Sequence, residues 1–159
     1  MKYSRNSEMM AKFCLKSSQD DAEFILKSKD IYRTICDDGS PSREDMVIPD
    51  GWINVVAYVD DKPAGCFVLH KQNCITMECH VQILAEYRHL SKEMSDAMLA
   101  WVWNNTTAQK LTANIPFDCE NVKNFAEIMG FKIEGVNEDS IMKNGKVLSQ
   151  WYLGIRKWQ

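Results

Sequence analysis

The feature that most constrains this fold is a run of three β-type segments followed directly by a helical pattern. Residues 52–60, 64–71 and 74–84 are rich in β-branched and aromatic side chains, and Asp60-Asp61-Lys62-Pro63 forms a turn signal between the first two. Residues 91–105 then repeat apolar side chains at the spacing of an amphipathic helix. Hairpin strands that lead into such a helix predict a sheet with helices packed on its faces.

The rest of the chain extends this pattern on both sides. The predicted order is β-α-α-β-β-β-α-β-α-β-β. The further segments are a strand at residues 10–15, a helix capped within residues 17–20 and continuing to about Ile31, a short helix at 42–46, a strand at 110–116, a helix at 120–130, and a terminal hairpin of 131–136 and 147–158. No internal repeat, low-complexity tract or linker divides residues 1–159, so we expect one domain.

Composition argues against several classes of function. Hydrophobic residues make up 45% and charged residues 26% of the 159 positions, values typical of a globular domain. The net charge of −3 provides no general attraction for nucleic acid. No apolar run approaches the roughly 20 residues of a membrane span, and the N-terminal residues lack the apolar core of a signal peptide. We therefore expect a cytoplasmic protein without nucleic-acid or membrane partners.

The six cysteines contain no C-x-x-C pair and are expected to be free, mostly buried thiols. A zinc site from Cys74, Cys79 and His80 is rejected because a second ligand pair at finger-like spacing is missing, so no metal is expected. Cys119 lies near a predicted helix start, a position that lowers the pKa of a thiol, but no spacing places a base beside it.

Two segments carry a resemblance to a known family. HVQILAEYR followed by a helix is similar to a strand that ends in P-x-Y-R/Q before a phosphate-binding loop, and ENVKNFAEIMGFKIEG is similar to a segment with Asn, a helix, Gly-Phe and Glu-Gly in register. With this order of elements, the chain resembles the GNAT superfamily of acyl-CoA-dependent N-acetyltransferases over nearly its whole length. It is also similar to small acetyltransferase-like proteins of bacteriophages, which would place it in the host cytoplasm.

The resemblance implies a GNAT-like α/β (α+β) fold with a mixed, mostly antiparallel central sheet flanked by helices. It also implies acetyl-CoA as co-substrate, with the pantetheine arm bound by main-chain groups of a splayed strand. Asn121 matches the family's Asn beside that arm. The implied cofactor-binding residues are Val81, Gln82, Ile83, Arg88, His89, Leu90, Ser91, Lys92, Glu93 and Asn121.

The turn before residues 91–105 is the expected diphosphate site. A helix start offers free N–H groups and a partial positive charge, and Arg88 and Lys92 would add charge-assisted bonds. The family's loop reads R/Q-x-x-G-x-G/A, whereas Ser91 and Glu93 replace the two glycines here, which predicts a looser turn. The alternative is that Ser91 only caps the helix and Arg88 is a solvated charge.

Glu78 is predicted as the catalytic base, directly or through a water, and His80 is the second candidate because its pKa is nearer neutrality. Strand alternation places Glu78, His80 and Gln82 on one face. The alternative interpretation is a solvated strand-end carboxylate and a half-buried imidazole.

The acid that protonates the departing thiolate is not identified by the sequence. Many family members carry a tyrosine four residues before the Gly of Gly-Phe, and counting back from Gly130 reaches Ala126. Tyr87, Tyr152 or a water remain open as replacements.

Two functions remain possible from the sequence. One is acetyl transfer from acetyl-CoA to a primary amine of a protein or small molecule, with acceptor residues drawn from residues 20–49 and the turn at 143–146. The other is a GNAT-fold binding protein without catalytic activity, such as a phage assembly, virion or host-interaction factor. Trp151 and Trp158 cover core or an interface, which leaves a homodimer open.

Overall fold

The computed structural model describes residues 13–158 and contains seven strands and four α-helices within that range. The strands are β1 (Cys14–Lys16), β2 (Ile53–Val59), β3 (Lys62–Lys71), β4 (Thr76–Ile83), β5 (Lys110–Pro116), β6 (Lys132–Lys143) and β7 (Lys146–Arg156). The helices are α1 (Gln19–Leu26), α2 (Lys29–Ile35), α3 (Ser91–Asn105) and α4 (Glu120–Ile128), and a 3-10 helix (Ala85–Leu90) leads into α3. The predicted order of elements is confirmed.

All seven strands form one sheet in the order β1-β2-β3-β4-β5-β7-β6. Neighbouring strands are antiparallel except β4 and β5, which are parallel and are connected by α3. A parallel pair needs a crossover of this kind, because the chain must return to the same end of the sheet. The expected mixed, mostly antiparallel sheet flanked by helices is confirmed.

Helices cover both faces of the sheet, and each face has its own core. Residues on alternate positions of a strand point to opposite faces, and β2 and β3 contribute buried residues to both cores. The core beneath α3 and α4 includes Phe67, Leu69, Met77, Met94, Met98 and Leu111. The core beneath α1 and α2 includes Ile25, Ile31, Val56, Cys66 and Val68.

Tight turns close two of the hairpins. Asp60 and Asp61 join β2 to β3 with φ values of 49° and 61°, and Asn144 and Gly145 join β6 to β7 with φ values of 53° and 74°. Positive φ at both central residues is the geometry of a type I′ turn, which Asn-Gly favours and Asp tolerates. Both predicted turns are confirmed, although Pro63 belongs to β3, beside a bulge in its pairing with β2.

Helix α4 ends as its sequence predicts. Gly130 has φ of 104°, a left-handed conformation that glycine adopts without a steric penalty. The N–H of Phe131 donates to Ala126 O at 3.0 Å, and the N–H of Gly130 donates to Glu127 O at 3.0 Å. This pair of bonds is the Schellman arrangement that satisfies the last carbonyls of a helix.

The N-terminal third differs from the sequence prediction. The short helix predicted at residues 42–46 is an irregular turn, and the second helix is α2, which starts one turn after α1 ends. Ile31 is the buried residue of α2. The apolar position that was predicted to continue α1 therefore belongs to the second helix. The predicted first strand is observed as β1, while residues 10–12 lie outside the described part of the chain.

All six cysteines are free, and three of them are buried: Cys66, Cys79 and Cys119. Burial raises the pKa of the Cys66 thiol to about 12 and the pKa of the Cys79 thiol to about 12. Those two thiols therefore pack as small apolar groups. Cys14 and Cys74 are exposed, so the expectation of mostly buried thiols holds for only half of the set. No helix among residues 13–158 is long and apolar enough to cross a membrane.

Gly65 on β3 lies beneath Met94 of α3, with no room for a side chain between them. A β-carbon on Gly65 would lie 2.7 Å from Met94 Sδ, 3.0 Å from Gln82 O and 3.1 Å from Ile83 Cγ1. We predict that Gly65→Ala lowers the free energy of unfolding by about 1–2 kcal/mol, because overpacking outweighs the lost flexibility of the unfolded chain.

Urea denaturation measures this change. Gly135→Ala is the matched control, since nothing lies within 4 Å of a β-carbon there, and its effect should stay within about 0.5 kcal/mol. Equal stability of the two variants would show that β3 and α3 are not packed as closely as described.

Candidate active site

The site begins where β4 and β5 separate. Their parallel pairing consists of Thr76 with Lys110, Met77 with Leu111 and Glu78 with Thr112. Beyond these positions β4 continues along β3, and β5 continues along β7. No strand within residues 13–158 pairs with the other edge of β4 at residues 79–83. That edge therefore presents backbone N–H and C=O groups to the space between the two strands.

A cavity of about 550 Å³ occupies this space. It is bounded by the free edge of β4, the start of α3, the facing part of β5, and α4. Lining residues that the sequence predicted are His80, Val81, Gln82, Ile83, Arg88, Ser91 and Asn121. The structure thus brings together both segments that carried the family resemblance.

The turn before α3 presents part of the predicted phosphate site. Ser91 is the first residue of α3, and the N-cap position is Leu90, which provides no side-chain hydrogen bond to the helix start. The alternative in which the Ser91 side chain caps the helix is therefore not what the structure shows. The N–H of Ser91 donates to Arg88 O of the preceding 3-10 helix, and the side chains of Arg88 and Ser91 line the cavity at this helix start.

Other predicted residues of this turn lie outside the cavity lining. Lys92 Nζ lies 2.6 Å from the Asp96 carboxylate in an exposed ion pair, so its charge is already partnered. Glu93 and His89 are exposed, while Leu90 packs against the core beneath α3. Because Glu93 points away from the cavity, its negative charge does not face the predicted diphosphate position.

Glu78 is held by neighbours on both sides. Its carboxylate lies 3.1 Å from His70 Nε2 and accepts a hydrogen bond of 3.4 Å from Asn114 Nδ2. Its side chain is 18% exposed, and His80 Nε2 lies 4.0 Å away. Glu78 is not among the cavity-lining residues, whereas His80 and Asn114 are. The predicted base therefore lies just behind the cavity wall, and not free in solvent.

His80 is predominantly uncharged at neutral pH. Desolvation by surrounding protein atoms lowers the pKa of its imidazole, the Glu78 carboxylate opposes that shift, and the nearby His70 adds to it. A neutral imidazole can accept a proton from a group in the cavity. The structure leaves both predicted bases in place, with His80 nearer to the cavity.

Three residues of this cluster were not predicted as site residues: His70, Asn114 and Trp52. The Trp52 ring stacks on His70 with centroids 4.4 Å apart, and lies 6.0 Å from the His80 ring. His70 faces Glu78 through the β3–β4 register. That register depends on the loop at residues 72–75, which carries no turn signal strong enough to set it in advance.

Position 126, where the resemblance implies a tyrosine acid, is an alanine and cannot donate a proton to the thiolate. Ala126 lines the cavity, and neither Tyr87 nor Tyr152 is among the lining residues. The nearby polar group is instead Lys143, whose Nζ donates to Thr34 O at 3.1 Å and lies 3.4 Å from Asp118 Oδ2. Nothing in the sequence links these three positions, because their contacts are made only by the folded chain.

Cys119 also lines the cavity, and its thiol does not have the lowered pKa that a position near a helix start suggests. Burial raises the pKa of its thiol, a hydrogen bond to the Asp118 carboxylate raises it further, and Lys143 acts in the opposite direction. A helix start alone does not lower the pKa of a thiol that is buried beside a carboxylate.

The two regions expected to hold the acceptor meet at one end of the cavity. The Asp38 carboxylate accepts hydrogen bonds from the N–H groups of Asn144 at 2.7 Å and Gly145 at 2.8 Å. The N–H of Asp38 donates to Met142 O at 2.9 Å. The loop after α2 is thus clamped to the β6–β7 turn.

No protein-family model matches the sequence, and no curated protein matches it. Solved structures match over nearly the whole chain. A GNAT-family acetyltransferase from Bacillus anthracis is 17% identical with a TM-score of 0.70, covering 95% of this chain and 100% of its own. A spermidine N-acetyltransferase from Vibrio cholerae, solved with CoA and spermine, is 14% identical with a TM-score of 0.74. The match covers 91% of this chain and 95% of that protein. An N-acetyltransferase from Staphylococcus aureus Mu50 is 14% identical with a TM-score of 0.68, and the match covers 92% of this chain and 98% of that protein.

The chain therefore has the fold of the GNAT superfamily of N-acetyltransferases, and the resemblance predicted from its sequence is confirmed at that level. The divergence of β4 from β5 and the helix start beside it are thus parts of a known type of fold. The chemistry of this chain depends on its own side chains.

Ser95 gives a direct test of the cavity wall. Its side chain lines the cavity, is fully buried, and its hydroxyl has no hydrogen-bond partner among the described residues. We predict that Ser95→Ala, without ligand, leaves the free energy of unfolding unchanged or raises it by up to about 1 kcal/mol, because an unpaired buried hydroxyl is removed.

Ser18→Ala is the control for this measurement by urea denaturation. The Ser18 hydroxyl accepts a hydrogen bond from the N–H of Asp21 at the start of α1, so its loss should cost about 1 kcal/mol. A larger loss for Ser95→Ala than for Ser18→Ala would contradict an unpaired Ser95 hydroxyl.

Proposed function

We propose that this protein is an acetyl-CoA-dependent N-acetyltransferase that moves an acetyl group to an amine acceptor. The observation that carries this proposal is the cavity at the β4–β5 divergence, which is lined by Arg88, the first residue of α3 and His80. Glu78 lies behind the cavity wall on the same strand as His80, with its carboxylate 4.0 Å from His80 Nε2. The groups that binding and deprotonation require are therefore in or directly behind one cavity.

The residues present fit a CoA molecule. The cavity volume of about 550 Å³ is within the usual range for a small-molecule site. Arg88 and the partial positive charge at the start of α3 suit a diphosphate, and the free edge of β4 suits the amide-bearing pantetheine arm. Ser95 and Asn114 add buried polar oxygens that have no hydrogen-bond partner among the described residues. A bound ligand would supply the partners that these oxygens lack.

The bound thioester would supply an acetyl carbon open to attack by the acceptor amine, with the CoA thiolate as leaving group. Backbone N–H groups of β4 near Val81 and Gln82 would stabilise the oxyanion that forms as the C–N bond is made. The amine must lose a proton, which Glu78 would accept through a water, because Glu78 lies behind His80 and Asn114. The thiolate would take its proton from water, because Ala126 offers none.

The acceptor class is an amine. The chain has a net charge of −3, which attracts cations. The Vibrio cholerae relative was solved with spermine, a polyamine. Acceptor contacts would come from the region where Asp38 holds the β6–β7 turn. A cationic amine entering there would meet the Asp118 carboxylate beside Lys143.

A binding protein that retains the fold without turnover is the alternative. It is favoured by one observation, the alanine at position 126 in the cavity wall, where the family resemblance implies a tyrosine that protonates the leaving thiolate. Catalytic turnover with a panel of primary amines separates the two functions, because only the enzyme releases free CoA thiol.

Arg88 is predicted to carry most of the phosphate affinity. A charge-assisted hydrogen bond is worth about 1.5–3 kcal/mol, so Arg88→Glu should weaken CoA binding by at least about tenfold. Lys92→Met is the matched control. Lys92 is exposed, paired with Asp96 and outside the cavity lining, and its loss should change affinity by less than about threefold.

Isothermal titration with CoA measures both variants. If Arg88→Glu binds as tightly as the wild type, the phosphates bind elsewhere. If the wild type shows no binding at millimolar CoA, the enzyme proposal itself fails.

Glu78→Gln is predicted to lower turnover at neutral pH by about 10²- to 10⁴-fold while leaving CoA affinity nearly unchanged. The amide keeps the shape and the contacts to His70 and Asn114 but cannot accept a proton. Release of CoA thiol over time, measured across a range of pH, gives the rate.

His80→Gln should cost less than about tenfold if a water links Glu78 to the amine. The reverse order of effects would make His80 the base. Losses below tenfold in both variants would indicate that bulk water accepts the proton.

A further inference from the structure

Three side chains that can ligate a metal ion meet on one face of the β3–β4 hairpin. His70 on β3 stands opposite Glu78 on β4, and His80 follows two positions along the same strand and therefore on the same face. One ligating atom from each residue lies within 4.8 Å of the others. Two imidazoles and a carboxylate make up the His₂Glu ligand set of known catalytic zinc sites.

The geometry points to a binding site for a divalent transition-metal ion of the zinc type, formed by His70, Glu78 and His80. Occupation of this site switches off the proposed proton acceptor. The binding part of this inference is independent of the proposed function, whereas the inhibitory part rests on it.

The distances suit coordination after a small side-chain adjustment. A tetrahedral zinc ion with bonds of about 2.0–2.1 Å holds its ligand atoms about 3.3 Å apart. His70 Nε2 and Glu78 Oε2 are 3.1 Å apart, close to that spacing, and His80 Nε2 and Glu78 Oε1 are 4.0 Å apart. The His80 side chain is 41% exposed, so its ring can move toward Glu78 without displacing core atoms.

Neighbouring groups already orient two of the three ligands. The Trp52 ring stacks on His70 at a centroid distance of 4.4 Å and an interplanar angle of 24°, which limits rotation of the imidazole. Asn114 Nδ2 donates to Glu78 Oε1 at 3.4 Å and leaves Oε2 directed at His70. Outer contacts of this kind raise metal affinity, because less order must be gained on binding.

The third ligand joins the metal site to the cavity. His80 lines the cavity, so an ion bound to it would keep a coordination position open to water or to a cavity ligand. No thiol belongs to this ligand set. Cys79 lies between Glu78 and His80 in sequence, but its side chain points into the core on the opposite face of the sheet. Cys74 is exposed and lies before the start of β4. Hard and borderline donors without sulfur favour zinc, cobalt or nickel over copper(I).

Cobalt(II) titration of the whole protein, without CoA or acceptor, tests the site. We expect visible d–d absorption of a four- or five-coordinate cobalt ion, without the near-ultraviolet charge-transfer band of a thiolate ligand. Zinc should displace the cobalt and remove the signal. Absence of the d–d bands, or a strong thiolate band, would overturn the assignment.

Variants identify the ligands. His70→Ala and, as a second variant, His80→Ala should each weaken zinc binding in isothermal titration by at least about tenfold. His89→Ala is the matched control, because His89 is the remaining histidine of the sequence, is exposed and lies outside the cluster. Circular dichroism melting identifies any variant that does not fold. Equal zinc affinity in the folded ligand variants and the control would reject the site.

The inhibitory consequence has its own measurement. Zinc should reduce CoA-thiol release by the wild type with a midpoint near its binding constant, and EDTA should restore the rate. His70→Ala should lose this inhibition relative to its own zinc-free rate. Inhibition that persists in His70→Ala would refute the switch. A protein that binds cobalt but never turns over would instead refute the proposed function and keep the metal site.

Discussion

The site depends on the three residue pairs that join β4 to β5. This short parallel ladder ends at Glu78 and Thr112, after which each strand follows its other neighbour. The free edge of β4 then carries backbone groups that need partners from solvent or from a ligand. A longer ladder would satisfy those groups internally and leave no cavity. Because Glu78 is the last residue of β4 that pairs with β5, its carboxylate is fixed where the two strands separate.

Alternation along β4 lets one strand serve two purposes. Met77 and Cys79 point into the core beneath α3, where burial holds the strand rigid and keeps the Cys79 thiol protonated. Glu78 and His80 point to the other face, toward Trp52 and His70. Polar groups supported from behind by a packed core are held more accurately than groups on a loop. The same packing accounts for the close contact of Gly65 with Met94.

Proton transfer and metal binding compete for the same lone pairs in this cluster. A carboxylate that coordinates a divalent cation is a much weaker proton acceptor, and a coordinated imidazole nitrogen has no free lone pair. Metal binding would replace the hydrogen bond between His70 Nε2 and Glu78 Oε2, because the ion would lie between those two atoms. The neighbours of Glu78 therefore determine whether its carboxylate is free to accept a proton from the amine.

Local sequence was enough to predict the strands of the sheet, α3 and α4, the turns at residues 60–63 and 143–146, the end of α4 at Gly130 and the strand that carries Glu78. Each of these follows from local periodicity or from the conformational freedom of a single residue. The tertiary structure alone decided that α2 replaces the helix predicted at residues 42–46, that His70 and Asn114 hold Glu78, and that Lys143 reaches Thr34. Those contacts depend on strand register and on positions up to 109 residues apart, which side-chain spacing along the chain does not encode.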